Sequence, residues 1–180
     1  MKKLFIIAAV LITGFTINKA SAQTTTGTTD LKVTLNAVQS ITVNNPTVGL
    51  NFTNSADYLT GVNTTQENHL TFASTSGFSI TAKAGTDLTG GTGNDIPVST
   101  VTITPSTGTI GNPPGGTPTI TASPLSKAAA VTIYSSPSTI TSGGTTQASL
   151  DVNYNASGGT NYLNRTGTFT STITYTIAPL

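Results

Sequence analysis

The sequence contains no cysteine and no tryptophan, a single histidine, and charged residues at only 7% of its 180 positions. The missing cysteines exclude a disulfide framework and a thiolate zinc site, and they argue against a lipid-anchored lipoprotein. The small number of basic residues argues against nucleic-acid binding, because such a surface cannot neutralise a phosphate backbone. The carboxylates are scattered singly, and no serine lies in a nucleophile-elbow setting. We therefore expect no catalytic residues, no cofactor and no metal, and we predict that the chain is not an enzyme.

The first 22 residues have the three parts of a secretory signal peptide. Lys2 and Lys3 precede an apolar run over residues 4–15, and Ala20-Ser21-Ala22 has the small-x-small pattern of a cleavage site. The run is shorter than the about 20 residues that a membrane span needs. We predict a cleaved signal peptide at residues 1–22, export to the periplasm, cell surface or medium, and no integral membrane association afterwards.

Removal of the signal peptide changes the charge of the chain. The remaining 158 residues hold four basic and six acidic side chains, so the formal net charge of +1 becomes −2. A weakly acidic surface of this kind lacks the basic patch that draws proteins to anionic lipid. Low charge also weakens repulsion between copies, which favours self-association.

Residues 23–30 are a polar, Thr-rich leader that we expect to be flexible. From residue 31 onward, apolar and polar side chains alternate with the period of two that is typical of β-strands. Threonine is abundant throughout, and its branched Cβ suits a pleated sheet better than a helix. The last run is the clearest, since a row of apolar side chains faces a row of threonines over residues 168–177. This pattern predicts a half-exposed antiparallel strand.

Clusters of Gly, Pro, Asn and Ser separate eight or nine alternating runs, and no segment has a convincing helical period. The pattern predicts an all-β fold, a single immunoglobulin-like antiparallel β-sandwich over residues 31–180. The longest interruption, residues 105–118, contains Pro113-Pro114-Gly115-Gly116. We interpret it as a long loop within one domain, because each half alone would have too few strands for a substantial core.

Two local features were candidates for metal binding. Residues 90–95 match the start of the calcium-binding repeat G-G-x-G-x-D-x-U-x, but only one copy occurs and Pro97 replaces the inward apolar residue. An ordinary glycine-rich turn is the favoured interpretation. His69 has no cysteine and no clustered carboxylates to complete a zinc site, and we expect it at a strand end near the surface.

Glycan binding and ice binding are the alternative functions. Lectin-like modules use loop aromatic rings that stack on sugars, and Tyr58 and Tyr162 lie in predicted loops. Tyr154 and Tyr175 share the phase of the core and are expected inside. The threonine face of residues 168–176 has the chemistry of an ice-binding surface, but on a single strand. A glycan-binding module is therefore the main alternative, and an ice-binding protein is less favoured.

Three segments carry a resemblance to a known group of proteins. Gly167-Thr168-Phe169-Thr170-Ser171-Thr172-Ile173-Thr174-Tyr175 resembles the G-T-[YF]-x-x-x-[IV]-x-[VY] ending of secreted bacterial pilin-like domains. These include the spore-coat-U and archaic chaperone–usher pilin group. Gly77-Phe78-Ser79-Ile80-Thr81-Ala82 is similar to their mid-domain strand, and Leu31-Lys32-Val33-Thr34-Leu35 fits their first strand. The disulfide that is usual in the group is absent from this chain.

The resemblance implies assembly by strand donation, in which the leader of one subunit completes the sheet of the next. It assigns residues 23–35 as the donor, with side chains Leu31, Val33 and Leu35. It assigns the acceptor groove to the final strand, with pocket residues Phe169, Ile173, Tyr175 and Ile177. The alternative is that residues 31–37 pair within their own domain and that the last strand is an ordinary core strand.

The leading interpretation is therefore a secreted or cell-surface structural or adhesive protein. It would be a subunit of a fibre, coat or extracellular matrix, with further copies or other surface subunits as partners. Glycans are the expected partners under the alternative function, and neither function needs a cofactor.

Overall fold

The structure is a computed structural model that describes residues 24–111, 117–138 and 147–180. The predicted signal peptide lies outside the described residues, as do residues 112–116 of the predicted loop. The chain divides into two units, Met1–Thr34 and Leu35–Leu180. In the first unit, residues 24–34 contain no helix or strand. The second unit holds the folded domain.

Nine strands, one short helix and two single 3₁₀ turns make up the described part of the domain. The strands are β1 (Gln39–Val43), β2 (Val62–Ser74), β3 (Phe78–Ala84), β4 (Val101–Gly111), β5 (Thr119–Ile120), β6 (Ser123–Pro124), β7 (Val131–Ser136), β8 (Ala148–Ala156) and β9 (Ile173–Pro179). The helix α1 spans Ser55–Thr60, and the 3₁₀ turns span Val98–Thr100 and Thr160–Tyr162. Among the described residues, no helix is long and apolar enough to cross a membrane.

The strands form two antiparallel sheets that pack face to face. One sheet has the order β1-β2-β8-β4-β6 and the other has the order β5-β7-β3-β9. The predicted all-β sandwich is confirmed. Alternate side chains of the central strands fill the interior, as their sequence pattern predicts. The buried apolar residues include Leu70, Phe72, Phe78, Ile80, Ala82, Val101, Ile103, Ile133, Tyr134, Leu150, Val152 and Tyr154.

The first strand starts later than its sequence pattern suggests. Residues 31–37 alternate like a strand but contain none, and β1 begins at Gln39. Leu31 and Leu35 are each 89% exposed. An alternating pattern becomes a strand only where a neighbouring strand supplies hydrogen-bond partners, and β2 pairs with residues 39–43 instead. No ladder in the described part of the chain involves residues 31–37.

The predicted loop at residues 105–118 is also shorter than expected. Strand β4 continues through Pro105, which pairs with Val152, and ends at Gly111. The register of β4 on β8 shifts between Thr107 and Gly111. Proline and glycine within a strand are tolerated at such irregularities, so these residues mark a distorted strand rather than a loop.

His69 does not lie near the surface, and that expectation is wrong. It is buried in the middle of β2 with 1% of its surface exposed, next to the equally buried Leu70. Asn68 has a left-handed φ of 48°, and its N–H donates to Asp151 Oδ1 at 2.7 Å. The register of β2 on β8 shifts at this point. A bulge breaks the alternation of a strand, so two successive side chains face the interior.

The two flanks of the sandwich are built differently. On one flank the chain passes from β5 in one sheet to β6 in the other within a few residues, and Leu125 follows with 2% exposure. Main-chain bonds hold this crossing, with Thr121 N–H donating to Ile133 O and Leu125 N–H to Val101 O. We call it the closed flank. The opposite flank, formed by residues 39–53 and 165–179, is the open flank.

Candidate functional site

Strand β1 forms one edge of the open flank. Its only ladder among the described residues is with β2. Thr75 N–H donates to Val38 O and Asn44 N–H donates to His69 O. The residues of the β1 segment that bond to β2 are therefore the even-numbered ones. In an antiparallel ladder, bonded and non-bonded residues alternate. The main-chain groups of Ile41 and Val43 therefore point away from β2, toward the open side.

Strand β9 forms the facing edge in the other sheet. It pairs only with β3 among the described residues. Gly85 N–H donates to Thr172 O and Leu180 N–H donates to Gly77 O, so even positions again make the bonds. The main-chain groups of Ile173, Tyr175 and Ile177 consequently point away from β3. No ladder joins β1 to β9 in the described part of the chain.

A cavity of about 670 Å³ opens beside these edges, and we call it the groove. Residues 47–53, which follow β1, form one wall, and residues 165–170, which precede β9, form the other. Leu88, Ile96, Val101 and Ala156 lie at its base. The volume falls within the range of about 300–1,000 Å³ that is usual for ligand pockets.

The apolar side chains along the open flank are only half-buried. They pack against the core on one side and remain accessible on the other, and they include Ile41, Val48, Leu50, Phe52, Leu88, Phe169, Ile173, Tyr175 and Ile177. Val43 is 40% exposed. Apolar side chains gain stability in proportion to the area that they remove from water. This flank of the core is therefore incompletely covered.

The structure brings the four predicted acceptor residues to this flank. Phe169 lines the groove, and Ile173, Tyr175 and Ile177 continue along β9 beyond it. The predicted donor residues Leu31, Val33 and Leu35 are 89%, 70% and 89% exposed. Sequence reasoning missed the other wall, because residues 47–53 contain no strand and show no clear alternation.

The wall at residues 47–53 is held at its end by helix α1. Asn54 accepts hydrogen bonds from Ala56 N–H and Asp57 N–H, at 2.9 and 3.2 Å. Asp57 Oδ2 in turn accepts from Thr53 N–H at 2.6 Å and Asn54 N–H at 3.0 Å. The bond from Thr53 is the main reason that the pKa of Asp57 lies below its usual value. This capping box explains a helix that the sequence periodicity did not reveal.

Aromatic rings close one end of the groove. Phe52 stacks on Tyr162 with ring centroids 4.6 Å apart, and it contacts Tyr58 at 5.2 Å. Tyr162 is buried, its hydroxyl bonds to Thr100 Oγ1 at 2.7 Å, and burial raises its pKa. The expectation that Tyr162 offers an exposed ring to a sugar is wrong. Tyr58 is half-buried against the same cluster.

The other wall rests on the glycine-rich turn. Thr166 and Thr170 exchange main-chain hydrogen bonds with Thr92 and Thr89. Between them the ring of Phe169 lies over Gly91, where an added Cβ would come within 2.3 Å of the ring. Glycine is therefore required at position 91 to seat Phe169 in the groove wall.

Main-chain carbonyls of the partial calcium motif accept hydrogen bonds from a protein side chain. Arg165 donates to Asn94 O at 2.7 Å and to Asp95 O at 3.5 Å. Asp87 pairs with Lys127 at 2.5 Å, which lowers the pKa of Asp87. Across residues 24–111, 117–138 and 147–180, no group of three or more His, Asp or Glu side chains is placed to hold a metal ion.

A hydrogen-bonded cluster lies behind β9, deeper than the groove. His69 Nε2 and the Tyr154 hydroxyl are 2.7 Å apart, and the Tyr154 hydroxyl also bonds to that of Tyr175. The three residues come from β2, β8 and β9, so the cluster joins the two sheets. Burial lowers the pKa of His69 and raises that of Tyr154 to about 12.

No family model and no curated protein matches the chain. No family is assigned on this basis, and the resemblance to pilin-like domains stays a prediction.

Proposed function

We propose that this protein is exported and forms a subunit of an extracellular fibre, coat or matrix. In this proposal the leader of one copy adds a strand to the open flank of a second copy, where β1 and β9 already lie in contact. Assembly then depends on main-chain hydrogen bonds and apolar side chains rather than on chemistry. The observation that carries the proposal is that β1 and β9 each have a ladder on one side only, among the described residues, beside a row of half-buried apolar side chains.

The spacing of the leader fits such an edge. Leu31, Val33 and Leu35 are alternate residues, and in a strand they would all face one side. The half-buried row on β9, Ile173, Tyr175 and Ile177, has the same period of two. A strand added along the outward edge of β1 or of β9 would place its three apolar side chains against the half-buried flank and its amides opposite those of that edge. The apolar leader residues would then leave water.

The donor comes from another copy. Val38 N–H donates to Thr75 Oγ1 at 2.8 Å and Val38 O accepts from Thr75 N–H at 3.0 Å, which holds the chain in line with β1. To enter its own groove, the leader would have to reverse within Asn36 and Ala37. Two-residue hairpins favour Asn-Gly or Asp-Gly, because both positions need positive φ, and Ala37 disfavours it. Contact between unlike surfaces of two copies produces open chains when the rotation between neighbours does not close into a ring.

Binding of the leader as a synthetic peptide tests the proposal. The acceptor is the chain without residues 1–37, and the ligand is a peptide of residues 24–37. We expect saturable binding measured by calorimetry, and loss of binding when Leu31, Val33 and Leu35 are all replaced by serine. The matched control replaces Lys32, Thr34 and Asn36 by serine and leaves the apolar row intact.

Size-exclusion chromatography with light scattering gives the second measurement. We expect concentration-dependent oligomers for the chain that keeps its leader and monomers for the chain without it. If the chain that keeps its leader is strictly monomeric at high concentration, and the peptide does not bind, strand donation is refuted.

The alternative functions have less support. A glycan site would rest on Tyr58 alone, because Tyr162 is buried. On the β7-β3-β9 sheet, Thr132, Thr81 and Thr176 form a cross-strand row of three threonines, which is small for an ice-binding array.

A further inference from the structure

We infer that His69, Tyr154 and Tyr175 form a pH-sensitive latch that holds β9 against the opposite sheet and opens when His69 is protonated. The consequence for subunit exchange rests on the proposed function, since β9 is one edge of the acceptor site. The latch itself concerns only the folded domain.

The latch is the polar connection between β9 and the sheet that contains β2 and β8. Tyr175 is half-buried on β9, and its hydroxyl bonds to Tyr154 of β8, which bonds in turn to His69 of β2. The His69 ring also meets Tyr175 at a centroid distance of 5.8 Å and a near-perpendicular angle of 81°. Because β9 pairs with a strand on one side only, it depends on such contacts to stay in place.

The histidine can be accommodated only in its neutral form. Nε2 has its partner in Tyr154, whereas the buried Nδ1 has no hydrogen-bond partner among the described residues. A protonated ring would carry an N–H donor and a positive charge at Nδ1. Leaving a charged donor buried and unpaired costs more than leaving a neutral one unpaired. Protonation therefore favours any opening that admits water to Nδ1.

Among the described residues, no charged side chain bonds to the His69 ring. Tyr154 and Tyr175 are its titratable neighbours, and Asn44 of the segment after β1 donates its main-chain N–H to His69 O. The two carboxylates on the adjoining strands lie elsewhere, since Glu67 is exposed and Asp151 accepts from Asn68 N–H. Desolvation alone accounts for the lowered pKa of His69.

Hydrogen exchange of the purified exported chain, kept monomeric by dilution, tests the latch. Thr174 and Thr176 amides, which bond to β3, report β9, and the β8 amides serve as internal reference. If His69 titrates near its ordinary value of about 6.5 once β9 opens, opening becomes at most about 30-fold more frequent at pH 5.0 than at pH 7.5, the limit reached when the closed form stays neutral. After correction for intrinsic exchange, we expect the β9 amides to lose protection by a corresponding factor and the β8 amides to lose less. Equal changes in both strands, or none, would overturn the latch.

Two further readouts separate the latch from a general loss of structure. His69→Gln keeps a hydrogen-bonding side chain but cannot titrate, so β9 protection should no longer depend on pH. If that variant does not fold, NMR of the wild-type ring decides, because His69 is the only histidine in the sequence. A ring that titrates at or above 6.5 without change in the β9 signals would contradict the proposal.

The leader peptide connects the latch to assembly. We expect faster association of the 24–37 peptide with the leader-free domain at pH 5.0 than at pH 7.5. Altered β9 exchange without peptide binding at either pH would support the latch and refute strand donation. Peptide binding with pH-independent β9 exchange would refute the latch and leave strand donation standing.

Discussion

The two flanks of this sandwich differ in how the edges of the two sheets are covered. On the closed flank, two strands of two residues each carry the chain across the gap between sheets, and Leu125 fills the interior behind them. On the open flank, β1 and β9 end their sheets with unpartnered main-chain groups, and half-buried apolar side chains face outward. Short edge strands limit unwanted pairing, whereas longer exposed edges invite it.

Most of the half-buried apolar side chains that pack against the core lie on the open flank. The central strands bury Leu70, Ile80 and Ile103 completely, so the domain has an ordinary core. Single exposed apolar residues also occur elsewhere, such as Ile120 on the closed flank, which is 41% exposed. Four changes test the difference between the two flanks.

The largest effect is expected on the closed flank. Leu125→Ala removes a fully buried side chain and should lower the free energy of unfolding by about 2–5 kcal/mol. Urea denaturation followed by circular dichroism measures it. The exposed Leu59 on α1 is the matched control, and Leu59→Ala should cost less than about 0.5 kcal/mol. Equal losses at both positions would mean that Leu125 does not seal the flank.

Alkaline pH should destabilise both the core and the open flank. Burial raises the pKa of Tyr134 and of Tyr154 to about 12, so in the folded state both stay protonated while unfolded tyrosines ionise near 10. The folded state then holds more protons, and stability present below pH 10 is lost as the pH rises. The slope is at most about 1.4 kcal/mol per pH unit for each tyrosine. Denaturation at pH 9 to 11 measures it, and Tyr134→Phe should reduce the slope.

Phe169→Ala should have a smaller effect on stability than Leu125→Ala. Phe169 is half-buried, so we expect a loss of about 1–2 kcal/mol rather than the 3–5 kcal/mol typical of a fully buried phenylalanine. The same change should weaken binding of the 24–37 peptide, because Phe169 lines the groove. Unchanged peptide affinity in a folded variant would place the binding site elsewhere. The matched control is Thr174→Ala, since Thr174 is exposed on β9 and does not line the groove.

The smallest effect on stability is expected in the leader. Replacing Leu31, Val33 and Leu35 together by serine should change the free energy of unfolding of the monomer by less than about 0.5 kcal/mol, because all three are exposed. It should nevertheless abolish oligomers in light scattering. Substantial destabilisation of the dilute monomer would show that the leader belongs to its own domain.

Sequence periodicity predicted much of this fold. The alternation in Phe78–Ala84 and Ala148–Ala156 corresponds to buried rows, and the apolar row of the last strand lies where predicted. Periodicity failed where the backbone departs from regular geometry. The bulge at Asn68 turned His69 inward, and the capping box at Asn54 produced a helix of one and a half turns. The bulge and the capping box do not depend on a repeating pattern of side chains, so the periodicity of the sequence does not predict them.

The sequence alone determined the all-β class, because threonine-rich alternation and scarce helix-forming residues leave no other way to bury the apolar side chains. It also predicted that Ile173, Tyr175 and Ile177 of the final strand face the core, whereas the fourth predicted residue, Phe169, precedes this strand. That β9 lies at an edge, and that β1 begins at Gln39 and leaves Leu31, Val33 and Leu35 exposed, is evident only from the folded chain. The physical reason is that alternation specifies the faces of a strand, whereas its neighbours are chosen by contacts between residues distant in the chain.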